Sequence, residues 1–197
     1  AAAADMILLC VKPQGVGDVL REIAGELDDS KLVVSIAAGV TTTLIEEAVP
    51  EGTPVVRAMP NTPSLIGQGM TAICSGRWAD DDHVELVRRI FAGMGRTVVL
   101  DEAYFNAVTG LAASGPAFIY IIIESLAEGG VKVGLPRHIA TECAAQACLG
   151  AASMVLETNN PPALRKDDVT TPAGCTRDGI LKPEEGGPRV PLIKGRG

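Results

Sequence analysis

Residues 106–136 read NAVTGLAASGPAFIYIIIESLAEGGVKVGLP and carry the densest helix pattern in the chain. After Ser114, Gly115 and Pro116, apolar side chains recur at helical spacing, at Ile119, Ile122, Ile123 and Leu126. Ser114 is a residue type favoured at a helix N-cap, and Pro116 fits a first turn, where a missing N–H costs nothing. The pattern therefore predicts a helix that begins at Ser114 and has one broad apolar face.

Glycines set the predicted limits of this helix. Gly129 and Gly130 are expected to end it, and residues 134–136 to start a second helix. A shorter apolar helix is predicted before Ser114, from Ala107, Val108, Leu111 and Ala112. The uncharged run 106–123 just reaches the length of a membrane span, but its Ser-Gly-Pro break and charged flanks argue against one. Spacing alone favours a buried helical hairpin without chemistry.

Strands and helices alternate before this region. Short apolar runs predict strands at residues 5–11, 32–36, 55–59, 71–74 and 97–100. Helical spacing predicts helices over residues 15–27, 44–49 and from Asp80 onward. This alternation is typical of βαβ units and predicts a mostly parallel sheet. Beyond Asp101 the strand pattern ends, so the predicted fold is α/β followed by all-α, with the boundary near Leu100–Asp101.

Helices are predicted to continue beyond residue 136. A long helix over residues 136–156 has a face of small side chains, which suits close packing on another helix. Residues 159–162, Asn-Asn-Pro-Pro, break it, and residues 164–168 are predicted to form a short charged turn. The chain then reads VTTPAGCT over residues 169–176.

Composition narrows the function classes. The chain has 197 residues, 47% of them hydrophobic and 21% charged, so we expect a packed core. A net charge of −7 argues against nucleic-acid binding, because an acidic surface repels phosphates. Five Cys residues without a C-x-x-C pair predict reduced thiols in a cytosolic protein. With two His residues at no ligand spacing, no metal site is expected.

Two groups of residues are candidates for ligand binding. Ligands of open parallel sheets bind beyond the carboxyl ends of the strands, and three such ends lie at residues 11–13, 36–39 and 60–63. Each is equally compatible with an ordinary turn. The other group is Thr170, Thr171 and Thr176, whose hydroxyls surround a Pro-Ala-Gly turn. Such a turn can bind a carboxylate-sized anion, although it can also be only a helix cap.

Three motifs are similar to those of one known family. Residues 108–111 (VTGL), 114–117 (SGPA) and 128–136 (EGGVKVGLP) resemble the conserved helices of pyrroline-5-carboxylate reductases. That family makes proline by reducing a cyclic imine with a nicotinamide dinucleotide. The resemblance implies a partial Rossmann-like domain over residues 1–100 and a helical dimerisation and substrate-binding domain over residues 101–197. It also implies NADP as the cofactor, used as NADPH, with NADH as the other possible hydride donor. The implied assembly is a homodimer or a larger assembly of dimers.

The resemblance also assigns site residues. In the family a Thr-rich turn holds the substrate carboxylate, which implies substrate contacts from Thr171, Gly174, Cys175 and Thr176, with the Thr176 hydroxyl near the ring nitrogen as the catalytic group. Hydride passes from the nicotinamide to the C=N carbon, and the protein mainly holds two ligands face to face. The strand ends imply cofactor contacts from Cys10, Val11, Lys12, Pro13, Ile36, Ala37, Ala38 and Asn61, together with Asp168.

The chain departs from the family pattern at two places. No G-x-G-x-x-G phosphate loop is present, and Leu20 stands where the third glycine after Gly15 and Gly17 would fall. We therefore expect a truncated copy with very low activity of its own. In the tail, Arg177, Pro183, Pro188 and Pro191 interrupt the apolar helix pattern, which places the last dimerisation helix in question.

Two alternative functions stay open at this level. A related two-domain reductase would use a lysine as acid/base, and Lys132 is the nearby candidate, although it is predicted to lie in a turn. A non-catalytic dimerisation module would explain the missing phosphate loop.

Overall fold

The computed structural model describes residues 1–171, 176, 179–180 and 185–187. Its internal contacts divide the chain into two compact units, Ala1–Ser114 and Gly115–Gly197. The first unit thus reaches beyond the change of pattern at residue 100, because the segment after the last strand packs on the sheet.

The first unit is an α/β sheet structure. Its elements are β1 (Met6–Leu9), α1 (Pro13–Ile23), β2 (Leu32–Ser35), α2 (Thr42–Glu46), β3 (Val55–Met59), β4 (Gly69–Ser75), α3 (Asp81–Ala92), β5 (Gly95–Val99) and α4 (Phe105–Val108). Short 3-10 turns lie at Ala24–Glu26, Thr62–Ile66 and Glu102–Tyr104, and a π-helical turn follows α4 at Thr109–Ala113.

The five strands lie in the order β1-β2-β3-β4-β5. All neighbours are parallel except β3 and β4, which are antiparallel. The predicted mostly parallel sheet is therefore confirmed. The antiparallel pair follows from its connection, since the short turn Thr62–Ile66 is too brief for the crossover helix that a parallel pair requires.

Both faces of the sheet are covered. On one face Val33 and Val55 pack with Leu20 of α1 and Ile45 of α2. On the other face Val34, Val56 and Ile73 pack with Val87 and Phe91 of α3. Neighbouring residues of one strand point to opposite faces, so strands buried on both sides have continuous apolar sequences.

Residues 102–113, which we call the covering segment, lie on the first of these faces. Phe105 is 1% exposed and packs against Ala72 and Cys74 of β4. The predicted N-cap at Ser114 is wrong. Ser114 has helical backbone angles, and its N–H donates to the carbonyl of Thr109 at 3.0 Å. The π-turn supplies that acceptor, so the backbone passes into the next helix without the extended residue that a side-chain cap requires.

The described part of the second unit contains the helices α5 (Gly115–Lys132), α6 (Arg137–Thr158) and α7 (Pro162–Asp168). The predicted end of α5 at Gly129 and Gly130 is wrong, because the helix continues to Lys132 and turns at Gly134, whose φ is +105°. Lys132 accordingly lies in the helix rather than in a turn. The predicted charged turn at residues 164–168 is also wrong, since these residues belong to α7, which begins at a favourable N-terminal proline.

The predicted small face of α6 is confirmed. Ala140 and Ala144 are buried with Ala127 of α5, and a Cβ on Gly130 would lie 3.1 Å from that of Ala140. Small side chains therefore let the two helix backbones approach closely. Asn159 ends α6 in the left-handed conformation, with φ of 53°.

Two helices of the described chain are long and apolar enough to cross a membrane by length and composition alone, Glu102–Lys132 and Arg137–Thr158. Core helices of soluble proteins satisfy the same criterion. Large apolar side chains on both are exposed in the single chain, among them Tyr120 and Ile121, each 61% exposed, and Leu149 at 53%.

Candidate active site

The carboxyl ends of β1, β2 and β3 lie side by side at one edge of the sheet, which we call the carboxyl edge. Leu9 pairs with Ser35, the last residues of β1 and β2, and Ser35 pairs with Arg57, from which β3 continues two residues further to Met59. The N–H of Ile36 donates to the carbonyl of Leu9 at 3.3 Å, directly beside Cys10. The structure thus brings together the three segments that the sequence predicts to border a cofactor.

The first segment is open to solvent. Cys10, Val11, Lys12 and Pro13 are all exposed. Lys12 is the N-cap of α1 in extended conformation, without a side-chain cap hydrogen bond, and Pro13 opens the helix. Pro13 has no N–H, and the Gly15 N–H donates to the Lys12 carbonyl at 2.9 Å. What the start of α1 offers at this edge is therefore mainly the positive end of its helix dipole, which favours an anionic or polar ligand group.

The second segment offers mainly its backbone. The side chain of Ala37 is 3% exposed and belongs to the core, and its N–H donates to Ser35 Oγ at 3.2 Å. Ala38 is exposed, whereas Ile36 is half-buried. A Cβ on Gly39, which has φ of +75°, would meet no atom within 4 Å. Small residues and open space beyond this strand leave room for a flat ligand group.

Asn61, in the third segment, is fixed by both ends of its side-chain amide. Its Nδ2 donates to the carbonyl of Ala112 in the π-turn at 2.9 Å, and its Oδ1 accepts from the N–H of Met70 at 2.8 Å. The side chain therefore ties the end of β3 to the start of β4 and to the covering segment. Because π-turns are frequent at functional sites, this contact marks the edge independently of the strand ends.

A buried polar cluster beneath the carboxyl edge was missed by the sequence analysis. Glu102 Oε1 accepts from Arg57 Nη1 and from the N–H of Thr42, each at 2.9 Å, and Glu102 Oε2 accepts from Thr42 Oγ1 at 2.7 Å. The guanidinium of Arg57 also lies 4.5 Å from the centroid of the Phe105 ring. The available signal was Arg57 itself, a charge within the apolar run of β3.

The cluster changes the pKa of Glu102 itself and of the neighbouring Cys74 thiol. Burial raises the pKa of Glu102, but hydrogen bonds from Thr42 and Arg57 outweigh burial, so the pKa lies below its ordinary value. Burial, together with the charge of Glu102, raises the pKa of the Cys74 thiol to about 12. Glu102 is therefore ionised and Cys74 is protonated at neutral pH.

The predicted site residues of the second unit are only partly described. Gly174 and Cys175 lie outside the described residues, while Thr171 and Thr176 are exposed. Asp168 ends α7, and its Oδ2 accepts from Arg165 Nη1 at 2.9 Å. It borders a cavity of about 370 Å³ whose walls are largely apolar; the lining residues are Ala151, Met154, Val155, Pro162, Arg165, Lys166, Asp168 and Val169.

Within the described part of the chain, the cysteines form no disulfide and no cluster of side chains suits a metal ion. Cys10, Cys74, Cys143 and Cys148 are free thiols. The described residues contain no group of His, Cys, Asp and Glu side chains that could hold a metal ion.

Two family models match separate parts of the chain. Residues 102–195 match the model for pyrroline-5-carboxylate reductase dimerisation. Residues 1–39 match the model for NADP oxidoreductase, coenzyme F420-dependent. The two matches fall on the helical part and on the first βαβ unit respectively.

Whole-chain relatives agree with the first of these models. A pyrroline-5-carboxylate reductase from Methanosarcina acetivorans is 44% identical over 96% of this chain and 70% of its own. The structure of a pyrroline-5-carboxylate reductase from Coxiella burnetii superposes with a TM-score of 0.93 at 36% identity, over 100% of this chain and 73% of the other. The Plasmodium falciparum enzyme, a crystal structure with NADP bound, gives 0.88 at 32% identity, over 99% of this chain and 74% of the other. The mixed five-stranded sheet is thus of Rossmann type, and the chain belongs to the pyrroline-5-carboxylate reductase family.

Proposed function

We propose that this protein reduces 1-pyrroline-5-carboxylate to proline, with NADPH as the hydride donor. One observation carries the proposal: the strand ends that the family uses beside its cofactor lie together at one open edge of the sheet. This edge belongs to a chain whose relatives over nearly its whole length are pyrroline-5-carboxylate reductases. The reaction class is that of an oxidoreductase of proline biosynthesis.

The carboxyl edge has the properties that a nicotinamide and its ribose require. The exposed Cys10, Val11, Lys12 and Pro13 and the small Ala38 flank an open space, and Asn61 is held rigidly at its far end. Ile36 and Ala37 would contact the cofactor through backbone groups, because the Ala37 methyl is committed to the core. The bound cofactor would supply the hydride. An NADP-bound relative favours NADP as the cofactor type.

The substrate contacts proposed here come from the helical unit. Thr171, Gly174, Cys175 and Thr176 would hold the carboxylate through hydroxyl and backbone N–H groups. The Thr176 hydroxyl would donate to the ring nitrogen and relay a proton from water, since an unassisted threonine is a weak acid. Asp168 is a further contact to the cofactor in this proposal, and its ion pair with Arg165 would orient its carboxylate.

The assembly that we propose is a homodimer or a group of dimers formed by the helical unit. Its support is the match to a dimerisation model and the exposed apolar side chains of α5 and α6. We place this assembly in the cytoplasm, without nucleic-acid or membrane partners. The net charge of −7 and the free thiols support that placement.

The test measures the oxidation of NAD(P)H by the complete protein when 1-pyrroline-5-carboxylate is added, as a fall in NAD(P)H absorbance. We expect substrate-dependent oxidation, faster with NADPH than with NADH. Thr176→Val should lower kcat by roughly tenfold or more, whereas Thr176→Ser, which keeps the hydroxyl, should stay close to the parent. Equal loss in both variants would refute the hydroxyl's role.

A second measurement separates binding from turnover. Cys10 lies at the proposed cofactor edge, so NADPH should slow its alkylation by iodoacetamide. A folded protein that shows this protection but no turnover would have a different substrate. A folded protein with neither protection nor turnover would support the non-catalytic dimerisation module instead.

A further inference from the structure

The carboxylate of Glu102 joins three segments of the first unit. Its three hydrogen bonds, all between 2.7 and 2.9 Å, reach the backbone and hydroxyl of Thr42 and the guanidinium of Arg57. Thr42 begins the helix that follows the second strand end, and Arg57 belongs to β3. Glu102 itself is the first residue of the covering segment. The Glu102 side chain therefore fixes the positions of α2 and β3, which border the carboxyl edge, relative to the covering segment.

The far end of the covering segment is anchored to the carboxyl edge itself. The carbonyl of Ala112 accepts from Asn61 Nδ2, and Phe105, between the two anchors, is buried against β4 beneath the Arg57 guanidinium. Helical residues rise about 1.5 Å each and strand residues about 3.3 Å each. The helical path from Glu102 to Ala112 thus matches the extended path from Arg57 to Asn61, each about 13–15 Å long. The covering segment is thus bound at one end to Arg57 and at the other to Asn61, four residues further along the chain.

Stability is a weak reason for this arrangement. A buried ion pair gains little over apolar side chains of similar volume, because both charges lose their hydration. Arg57 is 3% exposed, and its Nε has no hydrogen-bond partner among the described residues. The cluster does define geometry, since a carboxylate with fixed donors on both oxygens admits few positions of the segment that carries it.

We propose that Glu102 is a positioning residue for hydride transfer. Through Thr42 and Arg57 it sets where the covering segment lies, and through Ala112 it sets the orientation of Asn61 beside the nicotinamide. This inference rests on the proposed function. It predicts an effect on the alignment of the nicotinamide, and hence on kcat, with little effect on cofactor affinity.

The kinetic test uses substitutions that remove single interactions. Glu102→Gln keeps the shape but loses the charge, and kcat should fall roughly tenfold, because misaligned reacting atoms slow transfer strongly. KM for NADPH should change by less than about twofold. Thr42→Val removes one hydroxyl and should lower kcat in the same direction, whereas Thr42→Ser should restore it. The Thr42 pair keeps the test decisive if Glu102→Gln fails to fold.

A matched control and a double variant identify the route. Glu85 pairs with Arg88 on the exposed side of α3, so Glu85→Gln should leave kcat unchanged. If Glu102 acts through Asn61, the double variant Glu102→Gln/Asn61→Ala should have a kcat within about twofold of Asn61→Ala alone. Fully additive losses would overturn the route. A kcat within about twofold of the parent in both Glu102→Gln and Thr42→Val would overturn the positioning role.

Hydrogen exchange gives a result that needs no turnover. Amides of residues 102–113 should exchange faster in Glu102→Gln than in the parent, with no change in Glu85→Gln. Unchanged exchange would overturn the anchor. A parent that binds NADPH without reducing the imine would refute the proposed function alone, and the exchange result would still judge the anchor.

Discussion

Arg57 and Glu102 show how one buried pair links chemistry to position. Arg57 stands among apolar residues in β3, and Glu102 follows the last strand, so nothing in their spacing indicates that they meet. Their side chains are 4% and 23% exposed, and Thr42 completes the hydrogen bonding of the carboxylate. Hydrogen bonds from such donors favour the ionised form of a partly buried carboxylate.

The pH dependence of stability should therefore report on Glu102. Its pKa is lowered in the folded protein, so its contribution is present above the unfolded-state pKa of about 4.5 and is lost as pH falls through the lower folded-state value. At neutral pH, Glu102→Gln should lower the free energy of unfolding by about 2 kcal/mol. The difference from the parent should shrink as the pH falls below about 4.5 and through the lower folded-state pKa.

Urea unfolding followed by circular dichroism across this pH range measures that difference. Glu85→Gln serves as the exposed comparison. Its hydrogen bond with Arg88 also lowers the pKa of Glu85, but solvent screens this exposed pair, so its difference from the parent should be much smaller. A constant gap between Glu102→Gln and the parent would contradict the ionic origin of the effect.

Cys74 should be chemically inert in the folded protein. Burial and the nearby Glu102 charge raise its pKa to about 12, so almost no thiolate exists near pH 8. Iodoacetamide should alkylate the exposed Cys10 and leave Cys74 unmodified until the protein is unfolded. Mass spectrometry of the labelled peptides checks this, and equal labelling rates for the two thiols would contradict the buried environment.

At the scale of secondary-structure elements, contacts between helices override local signals. Gly129 and Gly130 are strong helix-stop residues by propensity, yet α5 passes through both. Gly130 faces Ala140 at close range, whereas a Cβ on Gly129 would meet nothing within 4 Å. A methyl group at Gly130 would thus be tight against Ala140, whereas one at Gly129 would have free space around it.

Alanine substitution should separate these two glycines. Gly129→Ala should raise the free energy of unfolding by about 0.5–1 kcal/mol, because alanine favours the helix. Gly130→Ala should lose most or all of that gain, because its methyl would lie 3.1 Å from Ala140 Cβ and 3.4 Å from Leu135 Cδ1. Thermal or urea unfolding of both variants measures the difference, and equal stabilisation would show that α5 and α6 lie further apart.

At the scale of the whole molecule, the helical unit leaves much apolar surface exposed in a single chain. Ile121 and Tyr120 on α5 are each 61% exposed, and Leu149 and Met154 on α6 are 53% and 47% exposed. Such a surface on a chain of this family favours burial against a second copy.

A charge placed on this surface should weaken the assembly. If the helical unit forms the proposed dimer, Ile121→Glu should shift it towards monomer in analytical ultracentrifugation, because a carboxylate would be buried without a partner. Leu44→Glu is the matched control, since Leu44 is similarly exposed, at 55%, but lies on α2 of the sheet unit. A dimer that tolerates Ile121→Glu as well as Leu44→Glu would place the interface elsewhere.

Much of the architecture can be read from residue patterns alone. Continuous apolar runs and helical spacing predict all five strands and the helices α1, α3 and α6, because burial on one or two faces imposes a period on the chain. The three strand ends could also be expected at one edge, because the carboxyl ends of parallel strands lie on the same side of a sheet. The family motifs in residues 108–136 carry the resemblance from which the reaction is inferred.

Specific contacts, some local and some distant in sequence, account for the rest. The continuation of the helix through Ser114 depends on the local π-turn bond to Thr109, whereas Gly130 lies within α5 at close range to Ala140 of α6. The antiparallel direction of β4 depends on the short turn before it, whereas the Glu102 cluster depends on which segments meet across the sheet. Local patterns indicate which residues are buried. Which other residues they contact is decided only when the chain folds. The residues that border the carboxyl edge are therefore visible in the sequence, but the buried pair that positions them is visible only in the fold.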